Sequence, residues 1–134
     1  MRPVLEPQET ILQWAASQLR CQFHTPCFAV GVVSSSGTLV GAAIFNDYAD
    51  RNIELTMVGR GVWSRSVRSL MAHIAFEGCQ AQRVTVRTRK KNKTLRALIS
   101  KAGWKMEGTL RRWYTDDDAV IYSMLKDECP WLQR

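Results

Sequence analysis

Residues 52–88 constrain the fold more than any other stretch of this chain. From Asn52 to Val58, Ile53, Leu55 and Met57 alternate with Asn52, Glu54 and Thr56, the period of a strand with one apolar and one polar face. Gly59 and Gly61 break that strand, and Ser64 caps a helix running to about Gly78. Val67, Leu70, Met71, Ile74 and Ala75 fall on one stripe of this helix. Arg83 to Thr88 then reads as the next strand. A strand, a helix and a strand in this order need a crossover connection, which makes the two strands parallel neighbours.

The flanks read as hairpins and helices. Residues 2–6 fit a short edge strand, and Gln8 to Leu19 a helix with Ile11, Leu12, Ala15 and Leu19 inward. Phe28–Val33 and Thr38–Phe45 are strands around the turn Ser34–Gly37, and the polar run Asn46–Arg51 reads as a second turn. Lys93 to Ala102 is a helix stopped by Gly103. Trp104–Trp113 and Ala119–Leu125 close the chain as strands around the turn Thr115–Asp118. The 134 residues make one domain, 1–134, with helices on both faces of a mixed sheet.

Charge is concentrated in the same region. Residues 60–100 hold ten Lys and Arg and one acid, Glu77, a net of +9 against +7 for the whole chain. An anionic ligand is the reading this favours. The junction Gly59-Arg60-Gly61-Val62-Trp63-Ser64-Arg65 has the ingredients of a phosphate site: a glycine turn, the unpaired amides of a helix start, and Arg60, Arg65 and Arg68 beside it. A second basic cluster, Arg87, Arg89, Lys90, Lys91 and Lys93, follows the next strand, at the edge where open α/β sheets hold ligands. Ordinary solvated turns are the alternative for both.

Other classes are disfavoured. No apolar run approaches a membrane span, and the N-terminal residues lack the apolar stretch of a secretory signal, so a cytoplasmic protein is expected. Cys21, Cys27, Cys79 and Cys129 are then expected as thiols. Cys21, His24 and Cys27 match no common zinc spacing, and no metal is expected. Nucleic acid is disfavoured as a partner because, Trp63 apart, the aromatic residues are not interleaved with the basic ones. His73 reads as structural, Trp14, Trp104 and Trp113 as packing, and Pro130-Trp131 as a tail that docks or meets a partner.

The order of elements, the basic strand-to-helix junction, and the segments Asn92…Lys101-Ala102-Gly103-Trp104…Glu107-Gly108 and Val120–Leu125 resemble the GCN5-related N-acetyltransferase (GNAT) superfamily. The pattern is most similar to the branch that acetylates ribosomal-protein N-termini, with Trp104 for its usual Phe. The resemblance implies a mostly antiparallel sheet of six to seven strands around a central parallel βαβ unit. It also implies acetyl-CoA as cofactor, lying where strands 52–58 and 83–88 splay apart. Met57 and Val58 would hold the pantetheine arm, the loop Arg60, Gly61, Val62, Trp63, Ser64 and Arg65 the pyrophosphate, and Asn92 the CoA arm. Basic residues after strand 83–88 would meet the 3′-phosphate. Two departures stand out: Trp63 and Arg65 occupy positions where the family has small residues, and Ile99 stands where many members carry a tyrosine acid.

The reaction implied is acetyl transfer to a primary amine: a protein N-terminus, a lysine or a small amine. Glu54, on the polar face beside the splay, is the candidate base, with a surface or salt-bridged glutamate as the alternative. Tyr122 is the candidate proton donor, with a core tyrosine as the alternative. A homodimer is compatible with this reading. A GNAT-like scaffold that holds CoA without turnover, and a basic nucleic-acid-binding module, are the competing functions.

Overall fold

A computed structural model of the chain describes residues 1–24 and 26–132. Strand β1 (Arg2–Val4) precedes helix α1 (Gln8–Leu19), and β2 (Phe28–Val33), β3 (Leu39–Ala49) and β4 (Asn52–Gly59) follow. Helix α2 (Arg65–Ala72) continues as a π-helical turn, His73–Gly78, before β5 (Arg83–Arg89). Helix α3 (Lys93–Lys101), β6 (Lys105–Tyr114) and β7 (Asp117–Leu125) complete the domain, with a 3-10 turn at Lys126–Glu128.

The strands form one sheet in the order β1-β2-β3-β4-β5-β7-β6. Every neighbouring pair is antiparallel except β4 and β5, which are parallel. The parallel unit expected between residues 52 and 88 is therefore the centre of the molecule. β7 inserts between β5 and β6, so the last hairpin returns inward.

Strand alternation divides the core in two. Leu55, Val86, Tyr122 and Met124 pack with Val67, Met71 and Ile99, so α2 and α3 cover one face. Ile11 and Ala15 of α1 pack with Ala29, Ala42 and Ile44 on the other face. Burying a side chain such as Ile11 contributes about 1.5–3 kcal/mol. The Gln8 side chain clips α1 in place, its Nε2 donating to the Ala29 carbonyl at 2.7 Å while its Oε1 accepts from the Ala29 amide at 2.8 Å. The second core draws no residue from β5, β6 or β7.

Boundaries in the two hairpins differ from the sequence reading. β3 does not end at Phe45 but runs to Ala49, with a register shift near Asp47, whose φ is 52°. The polarity of residues 46–49 marks an exposed strand end. The turn itself is Asp50-Arg51, with φ of 52° and 65°, the positive values a two-residue hairpin needs. In the last hairpin, Asp117 and Asp118 belong to β7: the Asp117 carboxylate accepts from the Lys91 amide at 2.7 Å, and that of Asp118 from the Arg112 amide at 2.8 Å.

No helix among the described residues is long and apolar enough to cross a membrane. None of the four cysteines forms a disulfide, and burial pushes the thiols of Cys21, Cys27 and Cys79 up. Among the described residues, no three His, Cys, Asp or Glu side chains group to hold a metal ion.

Candidate active site

The parallel ladder between β4 and β5 is only three pairs long: Asn52 with Arg83, Ile53 with Val84, and Glu54 with Thr85. β4 continues to Gly59 and β5 to Arg89 without further pairing between them. The sheet therefore opens as a wedge whose apex is the Glu54–Thr85 pair. Alternation fixes which backbone groups look into it. The Arg60 amide donates to the Val40 carbonyl at 2.8 Å, so the even-numbered residues of β4 bond toward β3 and the odd-numbered ones face the wedge. Leu55 and Met57 thus offer backbone donors and acceptors to the gap. Val58, expected to act with Met57, bonds toward β3 instead, because its place in the alternation is the opposite one.

The loop above β4 is held by close backbone approach. Gly59 and Gly61 both have φ of 81°. A Cβ on Gly41, the cross-strand partner of Gly59, would lie 2.0 Å from the Arg60 carbonyl oxygen. These glycines press the loop against β3 and start α2 at the mouth of the wedge. Ser64 caps the helix, its Oγ accepting from the Val67 amide at 3.4 Å, and the Ser64 amide donates to the Gly61 carbonyl at 3.2 Å. Val62 is buried, and Trp63 packs against the apolar core, which takes up its bulk. Arg60 and Arg65 are exposed and make no ion pair among the described residues. Arg68 belongs elsewhere: its guanidinium stacks over Trp131 at 5.3 Å.

The second basic cluster divides. On the face of β5 shared with Glu54, Arg83 pairs with Glu107, Arg87 with Glu54, and Arg89 with Asp116. Arg87 and Arg89 are therefore committed to carboxylates and stacked on Trp113 and Tyr114, which removes them from the anion-binding set. Lys90 and Lys93 remain, lining a groove of about 770 Å³ with Arg96, Arg112 and Tyr114 on a rim that also carries Asp116, Asp117 and Asp118. Asn92 caps α3, its Oδ1 accepting from the Leu95 amide at 3.1 Å, at the same sheet edge as the start of α2.

Glu54 sits at the apex with its side chain 18% exposed and that of Arg87 27% exposed. Partial burial pushes its carboxyl above the ordinary glutamate range, the Arg87 guanidinium opposes that, and nearby Asp47 adds to it. Tyr122 is not brought to Glu54. It is 2% exposed on the opposite face of the sheet, where its hydroxyl accepts from Arg96 Nε at 3.1 Å. Ile99 is fully buried in the same core.

Gly41, Leu55 and Trp131 are not among the expected site residues, and Arg87 is expected only as part of the basic cluster, not as the partner of Glu54. A glycine inside an otherwise apolar strand was the readable signal for Gly41, because such a residue marks close backbone approach.

The sequence matches no protein-family model and no curated protein. Its structure is similar to solved acetyltransferases. A chimera of the Vibrio cholerae spermidine N-acetyltransferase SpeG and hSSAT aligns with a TM-score of 0.76 at 12% identity, over 95% of this chain and 98% of that one. An acetyltransferase of the GNAT family from Bacillus anthracis aligns at 0.61 and 17% identity, over 75% of this chain and 67% of that one. A further structure described as an acetyltransferase shares 23% identity over 78% of this chain and 60% of that one, with a TM-score of 0.66. The fold is the GNAT fold; nothing in these likenesses singles out the ribosomal-protein branch.

Proposed function

We propose that this chain is an acetyl-CoA-dependent N-acetyltransferase acting on a primary amine. The observation that carries the reading is the wedge: two parallel strands that stop pairing after three residues, beneath a helix start flanked by two arginines that form no ion pair among the described residues. The residues fit CoA. Arg60 and Arg65, with the amides of Gly61, Val62 and Trp63 and the start of α2, hold the pyrophosphate, while Ser64, its amide bonded to Gly61, shapes the loop as the helix cap. The wedge-facing backbone of Leu55 and Met57 holds the pantetheine arm, and the amide side chain of Asn92 lines its path. Lys90 and Lys93 meet the 3′-phosphate. Bound acetyl-CoA supplies the acyl group as a thioester.

The remaining work falls to the chain. Glu54 Oε accepts a proton from the acceptor ammonium, directly or through one water, so that the amine can attack. Its raised pKa suits that role, and Arg87 keeps the carboxylate pointed at the apex. A backbone amide exposed by the wedge polarises the thioester oxygen. Tyr122 was the candidate acid; in this reading it anchors α3 through Arg96. The acceptor approaches on the face of Glu54, which is uncovered by any helix over β5 and β7. The structural neighbours named for spermidine make polyamines a class to test beside peptides and lysine.

A second reading has one observation in its favour: Glu54 is already tied to Arg87, and Ile99 supplies no acid. It describes a scaffold that holds CoA without turnover. Both readings require acetyl-CoA to raise the melting temperature. Only the enzyme releases thiol when a panel of amines is added. No shift with acetyl-CoA or CoA refutes both.

A further inference from the structure

At the apex of the wedge, on the face covered by α2 and α3, lies an apolar cavity of about 20 Å³. Leu55 of β4 and Val84 of β5 form its floor, one on each side of the parting strands. Met71 and Phe76 wall it from the helix side, and Trp131 and Trp104 close it. A space of this size admits one water-sized group, and an apolar lining keeps water out. Its position matters more than its size. Leu55, which lines it, is the deeper of the two residues given the pantetheine arm in the function proposed above, so the thioester at the end of that arm comes next to the cavity.

Trp131 reaches this spot from the C-terminal tail. Its carbonyl accepts from Ser69 Oγ at 3.5 Å, its ring lies under the Arg68 guanidinium at 5.3 Å, and its centroid is 6.4 Å from that of Trp104. The neighbouring tail residues Cys129 and Leu132 are buried in the same core. The tail is thus docked, with its largest side chain against the cavity. Among the described residues, two buried polar atoms beside it have no partner, Trp104 Nε1 and Arg68 Nε. Trp104 is itself 6% exposed.

We infer that Trp131 is a specificity-determining residue that sets acyl-chain length: it walls the apex cavity so that an acetyl methyl fits and longer acyl groups do not. This rests on the acyl-CoA reading of the wedge. Trp131 lies in the tail, outside the phosphate loop and β4, so its role is separable from cofactor capture and from proton transfer.

The test measures binding of acetyl-CoA, propionyl-CoA and butyryl-CoA to the full chain by calorimetry and thermal shift. Wild type and Trp131→Leu are compared, the leucine keeping an apolar tail contact, and Met71→Ala enlarges the same cavity from the helix side with the tail intact. One methylene in a fitted apolar pocket changes affinity by roughly tenfold or more. The expected result is a wild-type preference for acetyl-CoA over butyryl-CoA of at least about tenfold, falling to within about threefold in Trp131→Leu. If the leucine variant does not fold, Met71→Ala must relax the same preference. An unchanged preference, with all three thioesters still binding, overturns the inference and leaves the acyl-CoA site standing. Equal binding of the three by wild type overturns it too. Failure of wild type to bind any of them removes the wedge reading and the inference together.

Discussion

Replacing Gly41 by alanine tests the loop geometry without touching a charge. The added Cβ would sit 2.0 Å from the Arg60 carbonyl oxygen and 3.0 Å from the Arg60 carbonyl carbon. Both are backbone atoms, so no rotamer change relieves the contact, and the loop must move away from β3 by about an ångström to reach normal separation. That shift weakens the 2.8 Å hydrogen bond from the Arg60 amide to Val40, a loss of about 0.5–1.5 kcal/mol. Overpacking adds about 1–3 kcal/mol. A total of roughly 2–4 kcal/mol corresponds to a fall in Tm of about 7–14 °C for a domain of this size. Gly108→Ala is the control: a Cβ there meets nothing within 4 Å, so its Tm should stay within about 2 °C of wild type. The displaced loop should also weaken acetyl-CoA binding about tenfold, measured by calorimetry at a temperature where both variants are folded. A Gly41→Ala protein as stable as Gly108→Ala, with unchanged affinity, would refute the claim that this close approach positions the loop.

Glu54→Gln should lower kcat by about 10²–10⁴ while acetyl-CoA affinity stays within about twofold, by steady-state kinetics and calorimetry. The acid limb of the kcat/KM profile should lie above the ordinary glutamate range, because burial raises the Glu54 pKa. Arg87→Gln should move that limb further up and Asp47→Asn should move it down; the reverse order would exclude Glu54 as the titrating group. For stability, a raised folded-state pKa means the contribution of Glu54 is fully present below its unfolded pKa and lost as pH climbs through the folded value, which chemical denaturation between pH 4 and 8 would show. Exchanging Arg60 and Arg65 together for glutamate should weaken CoA binding by about tenfold or more and flatten its salt dependence; undiminished affinity would place the pyrophosphate elsewhere. Tyr122→Phe should lose about 1 kcal/mol of stability through its bond to Arg96 and leave kcat within about threefold; a hundredfold loss would return Tyr122 to the chemistry.

Local pattern carried most of the architecture. The alternation from Asn52 to Val58, the stripe from Val67 to Ala75 and the glycines at 59 and 61 are each readable within a dozen residues, and they sufficed for the parallel unit and the loop above it. What escaped depends on contacts between distant segments. Arg87 pairs with Glu54 across 33 positions, so sequence counted it as a free cation, when its neighbour neutralises it. The partner of Gly41 is a carbonyl in another loop. The Asp50-Arg51 turn lacks the Asn-Gly signature of its type and was absorbed into a longer polar run. Trp131 was visible as a tail aromatic, but its seat between α2 and Trp104 follows only from the way the last hairpin turns inward.

The three-pair contact between β4 and β5 has a mechanical meaning. Strands β1 to β4 form one leaf and β5, β7 and β6 another; they share the core under α2 and α3, but their backbones are joined along a spine only three residues tall. Above the spine no backbone ladder crosses; the first tie is the Glu54–Arg87 ion pair, set like a pin through a hinge. On the proposed function, a substrate ammonium that engages Glu54 would compete with that pin, so that arrival of the amine and the angle between the leaves would be coupled, with ionic strength acting on both at once.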